Sequence, residues 1–251
     1  MNKLKNKKAI ITGSSSGIGA GVAIAFAKEG ADVVINHPGP NQQQEVDAVV
    51  KKIESLGQRC FAIQADVSQP DEVENLVDQG YKKLGGLDIL VNNAGISGTA
   101  TIETLELEDW DRMISVHLRS VFMMTKRVLP IFYEQNSGKI INTASQLAYS
   151  GAPGFAHYTA AKAAVVGFTR SLALEIGDRN VSANCVCPGA TNTPLLANIN
   201  DDLLDAIRAS IPKKRFAEVS EITPSYVFLA SEGGSFYQGQ SISPNGGDVF
   251  L

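Results

Sequence analysis

The sequence has 251 residues, 44% hydrophobic and 19% charged, the balance of a globular chain with a sizeable core, which excludes a disordered one. Its 22 basic and 26 acidic residues leave a net charge of −4, and with basic residues scattered among acidic ones there is no concentrated positive field for a phosphate backbone, so nucleic acid is not an expected partner. No apolar stretch approaches the roughly 18–20 residues of a membrane helix, and three cysteines without framework spacing point to a reducing compartment.

The start, Met1 to Lys8, is basic, but the apolar run after it breaks at Thr12-Gly13, too early for a secretory signal. That run is a first strand, Ala9–Thr12. It leads into Gly13-Ser14-Ser15-Ser16-Gly17-Ile18-Gly19 and a helix over Gly17–Glu29. Glycines there allow a tight turn and close approach to a pyrophosphate, with free N–H groups at the helix start; a simple structural turn is the alternative. A strand over Asp32–Asn36 and a helix over Gln42–Leu56 follow, then a strand over Cys60–Gln64 and a helix over Asp71–Leu84. Next come a strand over Ile89–Asn92, an amphipathic stretch over Glu108–Glu134, a strand over Lys139–Thr143 and a helix over Tyr158–Ile176. Ser182–Cys187 is a sixth strand and Gln240–Ser243 a seventh, with Cys185 and Cys187 sharing one apolar face. Apolar runs without alternation fit strands buried on both faces, and the βαβ rhythm predicts one doubly wound α/β domain over residues 1–251. After Cys187 the rhythm breaks. Residues 189–216, with Pro194, Pro212 and a short helix over Asp202–Ala209, leave a strand's carboxyl end and are expected to form a lid or substrate loop.

Tyr158 and Lys162 stand four apart on one helix, so their side chains share a face. A phenol with a pKa near ~10 is a poor base at neutral pH, and the ammonium beside it is expected to lower that value into the range of proton transfer.

The glycine loop, Asp66-Val67 after the third strand and Asn92-Asn93-Ala94-Gly95 after the fourth are three elements of a series. Ser145 thirteen residues before Tyr158-x-x-x-Lys162, and Pro188-Gly189 with Thr191 and Thr193-Pro194, complete it. With these in order from Thr12 to Gly247, the chain resembles the short-chain dehydrogenase/reductase family, most closely its bacterial glucose dehydrogenase and 3-oxoacyl-carrier-protein reductase members. The resemblance implies a single Rossmann-type domain, a seven-stranded parallel sheet with helices on both faces, and hydride transfer between a nicotinamide and a carbonyl or secondary alcohol. It implies Tyr158 as the general acid or base, Ser145 as the group orienting the substrate oxygen, and Lys162 on the nicotinamide ribose. Gly13, Ser15, Ser16, Gly17, Ile18 and Gly19 would cradle the phosphates, Asp66 and Val67 border the adenine, and Asn92, Asn93, Ala94 and Gly95 form a central wall. Pro188, Gly189, Thr191 and Thr193 would hold the carboxamide. Where family members carry a fourth catalytic residue, Asn, this chain has His117. The main-chain carbonyl there could still hold the proton relay, and a side chain titrating near ~6.5 would add a pH dependence; simple packing is the alternative.

Cofactor choice falls on the end of the second strand. Asn36 replaces the acidic residue that would bind a ribose 2′-hydroxyl and repel a 2′-phosphate, and His37 follows it. NADP(H) is therefore favoured, with NAD(H) or dual use as the alternative. Gln146, Leu147, Phe155, His157, Leu195 and Leu196 are candidate substrate-pocket residues, for a ketone, sugar or 3-oxoacyl compound. Lys213-Lys214-Arg215 is either a solvated charge run or a contact for an acidic carrier. The resemblance further implies a cytoplasmic homotetramer, with helices Glu108–Glu134 and Tyr158–Ile176 at one interface and Ser243–Leu251 at another. The rival reading is a nucleotide-binding sensor or scaffold without turnover, against which stands the joint presence of Ser145, Tyr158 and Lys162.

Overall fold

The seven apolar runs form seven strands in the computed structural model, which describes residues 2–196 and 199–250. They are β1 (Lys8–Ile11), β2 (Asp32–His37), β3 (Cys60–Gln64), β4 (Ile89–Asn92), β5 (Gly138–Thr143), β6 (Val181–Val186) and β7 (Ser241–Ile242). All neighbours pair in parallel, in the order β3-β2-β1-β4-β5-β6-β7. Successive side chains of a strand point to opposite faces, and both faces are buried here. Ala9, Ile11, Val33 and Ile35 enter one core, while Ile10, Val34, Leu90 and Ile140 enter the other.

The helices are α1 (Gly17–Lys28), α2 (Gln43–Glu54), α3 (Pro70–Leu84), α4 (Leu107–Ile114), α5 (Ser120–Glu134), α6 (Leu147–Ser150), α7 (Ala156–Ile176), α8 (Asp201–Ser210) and α9 (Val219–Ala230). Residues of α1, α2 and α9 pack on the first face of the sheet, and those of α3, α5 and α7 on the second. Order reverses between β1 and β4, so the crevice at the carboxyl ends of these strands is the topological switch point where such sheets bind ligands.

Three elements differ from the sequence expectation, of which the short α6 is the smallest. The stretch Glu108–Glu134 is not one regular helix: a π-turn, Ser115–Arg119, joins α4 to α5 and carries His117. Helix α9 was not expected at all, and it contains Pro224, where proline removes a backbone bond. Its start is secured by a capping box between Glu218 and Glu221. Its apolar side (Ile222, Tyr226, Leu229, Ala230) is buried in the first core. The approach to α1 is close, since a Cβ at Gly21 would lie 2.2 Å from Val219 Cγ1. Cys185 and Cys187 are free, lie together in a small apolar cluster with Val165 and Val166, and burial pushes the Cys185 thiol up to about 12. No described helix is long and apolar enough to cross a membrane.

Candidate active site and cofactor cleft

The cleft is built at the ends of β1 and β4. Gly13 follows β1 with φ +59°, and a Cβ there would sit 2.7 Å from Ala94 Cα, so glycine alone permits the turn and the contact. Thr12 Oγ1 accepts from the N–H groups of Asn93 and Ala94, each at 3.0 Å, and Asn93 Nδ2 donates back to the carbonyls of Thr12 (3.0 Å) and Gly13 (2.9 Å). This bracing fixes two loops whose backbones must both approach a ligand. Ser16, at the start of α1, makes no side-chain cap, and the first turn carries no acidic residue, leaving its N–H groups and dipole to an anion. Thr193 closes over this loop, 3.4 Å from where a Gly17 Cβ would lie. Thr191 is buried and its hydroxyl donates to Gly189 O at 2.8 Å. Gly189 lies so near Asn245 that a Cβ would come within 2.7 Å of its Cα. The main chain of 190–192 pairs with Ala217, which anchors the base of the expected lid.

At the end of β2, Asn36 is buried, its Oδ1 accepting from Gly13 N (3.1 Å) and its Nδ2 donating to Ala65 O (2.9 Å) and Ile63 O (3.3 Å). The side chain is a bracket between the glycine loop and β3. Beside it, the Ser15 and Gln42 side chains hydrogen-bond at 2.7 Å, and His37 Nδ1 donates to Gly39 O at 2.9 Å. Gln42 was missed because nothing in its sequence neighbourhood marks it; only the return of the loop after β2 brings it to Ser15. At the end of β3, burial alone would raise the Asp66 carboxyl, but hydrogen bonds from Ser68 and the Arg112 guanidinium hold it below the usual range. Val67 is buried beside it.

Asn92 likewise turns away from the cleft. Its Nδ2 donates to Asn142 Oδ1 (2.8 Å), and Asn142 Nδ2 donates to Thr169 Oγ1 (2.8 Å), a buried polar row linking β4, β5 and α7.

The reacting groups converge at the start of α7. Tyr158 lies in its first turn, with Ser145, which follows β5, near enough to act on its phenol. Lys162, one turn on, is buried and donates to Thr143 O at 2.6 Å; its Nζ lies 5.8 Å from the Tyr158 ring centre. The expected lowering of the phenol is not found. Burial raises Tyr158 above its ordinary 10.0 and outweighs the lowering by Ser145, while the Lys162 ammonium is turned to a carbonyl. Burial also depresses Lys162, from 10.5 to about 8. His117 is buried, and burial together with the Lys162 charge holds it well below 6.5. The expected titration near 6.5 is thereby corrected, and the imidazole stays neutral.

Of the substrate-pocket candidates, Phe155 packs edge-on against Tyr158 at 6.3 Å and Leu195 is exposed. His157 is buried, with Nε2 toward Gly98, and does not face the opening. Gln146 Nε2 donates to Asp248, a contact from the far end of the chain with no local signal. In the basic run, Arg215 forms a bidentate pair with Glu221 and Lys214 Nζ donates to Ala209 O, which leaves Lys213 exposed beside a hollow of about 490 Å³ bordered by Pro244–Gly247.

A family model described as "Enoyl-(Acyl carrier protein) reductase" matches residues 13–248. A 3-oxoacyl-[acyl-carrier-protein] reductase of Staphylococcus epidermidis is 39% identical over 96% of this chain and 98% of its own. The Thermotoga maritima protein of that name is 36% identical over 98% and 99%. The chain belongs to the short-chain dehydrogenase/reductase family. As an NAD(P)-dependent oxidoreductase of that family, the enzyme superposes on a Burkholderia cenocepacia short-chain dehydrogenase solved in complex with NADP, at a TM-score of 0.90 and 33% identity over 98% and 99% of the chains. A dehydrogenase/reductase from Sinorhizobium meliloti gives 0.92 and 35% over 98% and 96%.

Proposed function

We propose that the enzyme reduces the ketone of a 3-oxoacyl thioester with NADPH, using Tyr158 as the proton donor. The observation that carries this reading is the convergence of Ser145, Tyr158 and Lys162: Ser145 lies near enough to Tyr158 to oppose the upward shift of its phenol, and the Lys162 ammonium stands behind them. An oxygen placed at that pair meets two hydroxyl groups, which suits a carbonyl oxygen gaining negative charge. Burial holds the phenol above its ordinary value, so Tyr158 carries its proton at neutral pH and is able to donate it. The nicotinamide supplies the hydride. Ser145 orients the carbonyl, Tyr158 delivers the proton to its oxygen, and Lys162, with its pKa near 8, is able to pass a replacement proton on toward the phenol.

The cleft fits the dinucleotide. The uncapped start of α1 with Gly17, Ile18 and Gly19 would receive the pyrophosphate, Asp66 and Val67 the adenine side, and Lys162 with Pro188, Gly189, Thr191 and Thr193 the nicotinamide end. NADP(H) is favoured because the end of β2 carries no carboxylate, while Ser15, His37 and Gln42 offer hydrogen bonds there; the B. cenocepacia relative was solved with NADP. Residues 189–216, of which 197 and 198 lie outside the described residues, would serve as the lid over the acyl chain, with α8, which has no fully buried residue, as its outer part. Assembly as a homotetramer is supported by apolar side chains left open on the helices and near the chain end: Phe122, Leu174, Phe236 and Phe250. The three buried free cysteines fit the reducing cytoplasm.

The test follows NADPH and NADH oxidation with a 3-oxoacyl thioester, a 2-enoyl thioester and a simple ketone, plus NADP+ reduction with glucose, each beside Tyr158→Phe. Turnover of the 3-oxoacyl thioester that falls by about 10²–10⁴-fold in the variant, with NADPH binding retained, is the expected result. Preference for the enoyl thioester would overturn the substrate, and NADPH binding without turnover of any compound would favour the sensor reading.

A further inference from the structure

The last turns of the chain fold back on the loop that carries Ser145. Asn245 ties them together: its Nδ2 donates to Val249 O at 2.7 Å and its Oδ1 accepts from Gly247 N at 2.9 Å. Gly246 and Gly247 turn the backbone there with φ of +72° and +90°, a region that favours glycine. The Pro244 carbonyl accepts from Gly189 N at 3.1 Å, which fixes the tail to the loop after β6 as well. Asp248 is thereby brought to Gln146, the neighbour of Ser145, whose Nε2 donates to Asp248 Oδ2 at 2.5 Å. A carboxylate oxygen only accepts, so it decides which way round the amide of the buried Gln146 sits. Nε2 faces the tail, and Oε1 faces Gly189, where a Cβ would lie 2.9 Å from it. Oε1 itself is buried with no partner among the described residues. Leaving such an acceptor unpaired is costly, and buried polar atoms are as a rule hydrogen-bonded.

We propose that Asp248 is a positioning residue that holds Gln146 Oε1 as a specificity-determining acceptor for an amide N–H of the substrate. The proposal rests on the reading of the substrate as a 3-oxoacyl thioester. Thioesters of a pantetheine arm carry an amide N–H two carbons from the sulfur, the hydrogen-bond donor nearest the reacting ketone. Gln146 adjoins Ser145, which orients that ketone, so acceptor and arm share one end of the cleft. An alkyl side chain at this position would take thioesters with and without the amide alike, whereas a buried acceptor disfavours a ligand that leaves it unpaired. Asp248 contributes direction. With its carboxylate replaced by an amide, Gln146 is free to turn either its oxygen or its nitrogen toward Gly189.

Two acetoacetyl thioesters test this, one of N-acetylcysteamine and one of 2-acetoxyethanethiol, which differ only in an N–H against an oxygen. Steady-state kinetics with each, and NADPH affinity by fluorescence, would be measured for wild type, Gln146→Met and Asp248→Asn. Wild type is expected to favour the amide thioester by about 10-fold in kcat/KM, the equivalent of one net hydrogen bond, with the difference in KM rather than kcat. The preference should vanish in Gln146→Met and fall to about 2–3-fold in Asp248→Asn, with a smaller change in NADPH affinity. As a ratio within one protein, it does not depend on how much of a variant is folded. Equal use of the two thioesters by wild type, or an unchanged preference in Gln146→Met, would overturn the acceptor. An unchanged preference in Asp248→Asn alone would overturn its positioning role. A loss of NADPH affinity in Gln146→Met as large as its loss of preference would assign Oε1 to the nicotinamide carboxamide and overturn the substrate contact. Failure of wild type to reduce either thioester would overturn the 3-oxoacyl reading and the acceptor with it, an outcome distinct from equal turnover of both.

Discussion

Replacing Lys162 with methionine is expected to make the protein more stable and inactive. The ammonium is buried at the base of the cleft, and burial lowers its pKa from 10.5 to about 8. The unfolded chain therefore binds more protons than the folded one between these values, so folded stability rises with pH through that window. The full penalty of the buried charge applies below pH 8 and vanishes above 10.5. Its size at pH 7 follows from the shift and is about 3 kcal/mol. Methionine matches the length of the stem and removes the charge, but it leaves Thr143 O without its 2.6 Å donor, at a cost of about 1 kcal/mol. The net gain is about 2 kcal/mol at pH 7, equivalent to roughly 4–8 °C in Tm for a chain of this size. Urea unfolding followed by circular dichroism, at matched protein concentration and at pH 7, 8, 9 and 10, would read it. The advantage of the variant should shrink steadily above pH 8 and reverse near pH 10.5, because wild type then keeps a neutral amine hydrogen-bonded to Thr143. Groups remote from Lys162 titrate alike in both proteins, so parallel stability curves would refute the reasoning, as would a variant markedly less stable than wild type at pH 7.

Asn36→Asp keeps an acceptor for Gly13 N but replaces the donor to Ala65 O and Ile63 O with a second oxygen. Stability is expected to fall by about 2–4 kcal/mol in urea titration, and a fully stable variant with its preference switched to NADH would show that the side chain faces the ribose after all. Gly95→Ala forces a Cβ against the buried His117 ring, for a loss of about 1–3 kcal/mol. His117→Ala opens that space, so the double variant should be more stable than the two single losses imply, by about 0.5–3 kcal/mol of coupling. Additive losses in the unfolding midpoints would count against the contact.

The alternation of apolar runs with amphipathic stretches located all seven strands and most helices to within a few residues, because burial on both faces of a parallel sheet leaves a continuous apolar signature. Helix α9 escaped since its apolar face is stabilised by α1, a partner remote in sequence, which outweighs the local cost of Pro224. The π-turn escaped for a related reason: it shifts the apolar periodicity by only one position, too little to stand out within one amphipathic stretch.

From the sequence came the glycine loop, the four-residue spacing of Tyr158 and Lys162, and Ser145 ahead of them. These are local patterns, set by what a tight turn and one helix face require. Only the folded chain decided that Asn36 and Asn92 turn inward, that Gln42 meets Ser15 and Asp248 meets Gln146, and that His117 reaches Ile96. Nor could spacing reveal that the phenol is raised and the lysine lowered. Spacing brings the two groups to one face, but the sign of each shift depends on how much water the surrounding elements exclude and on where the ammonium finds its hydrogen bond.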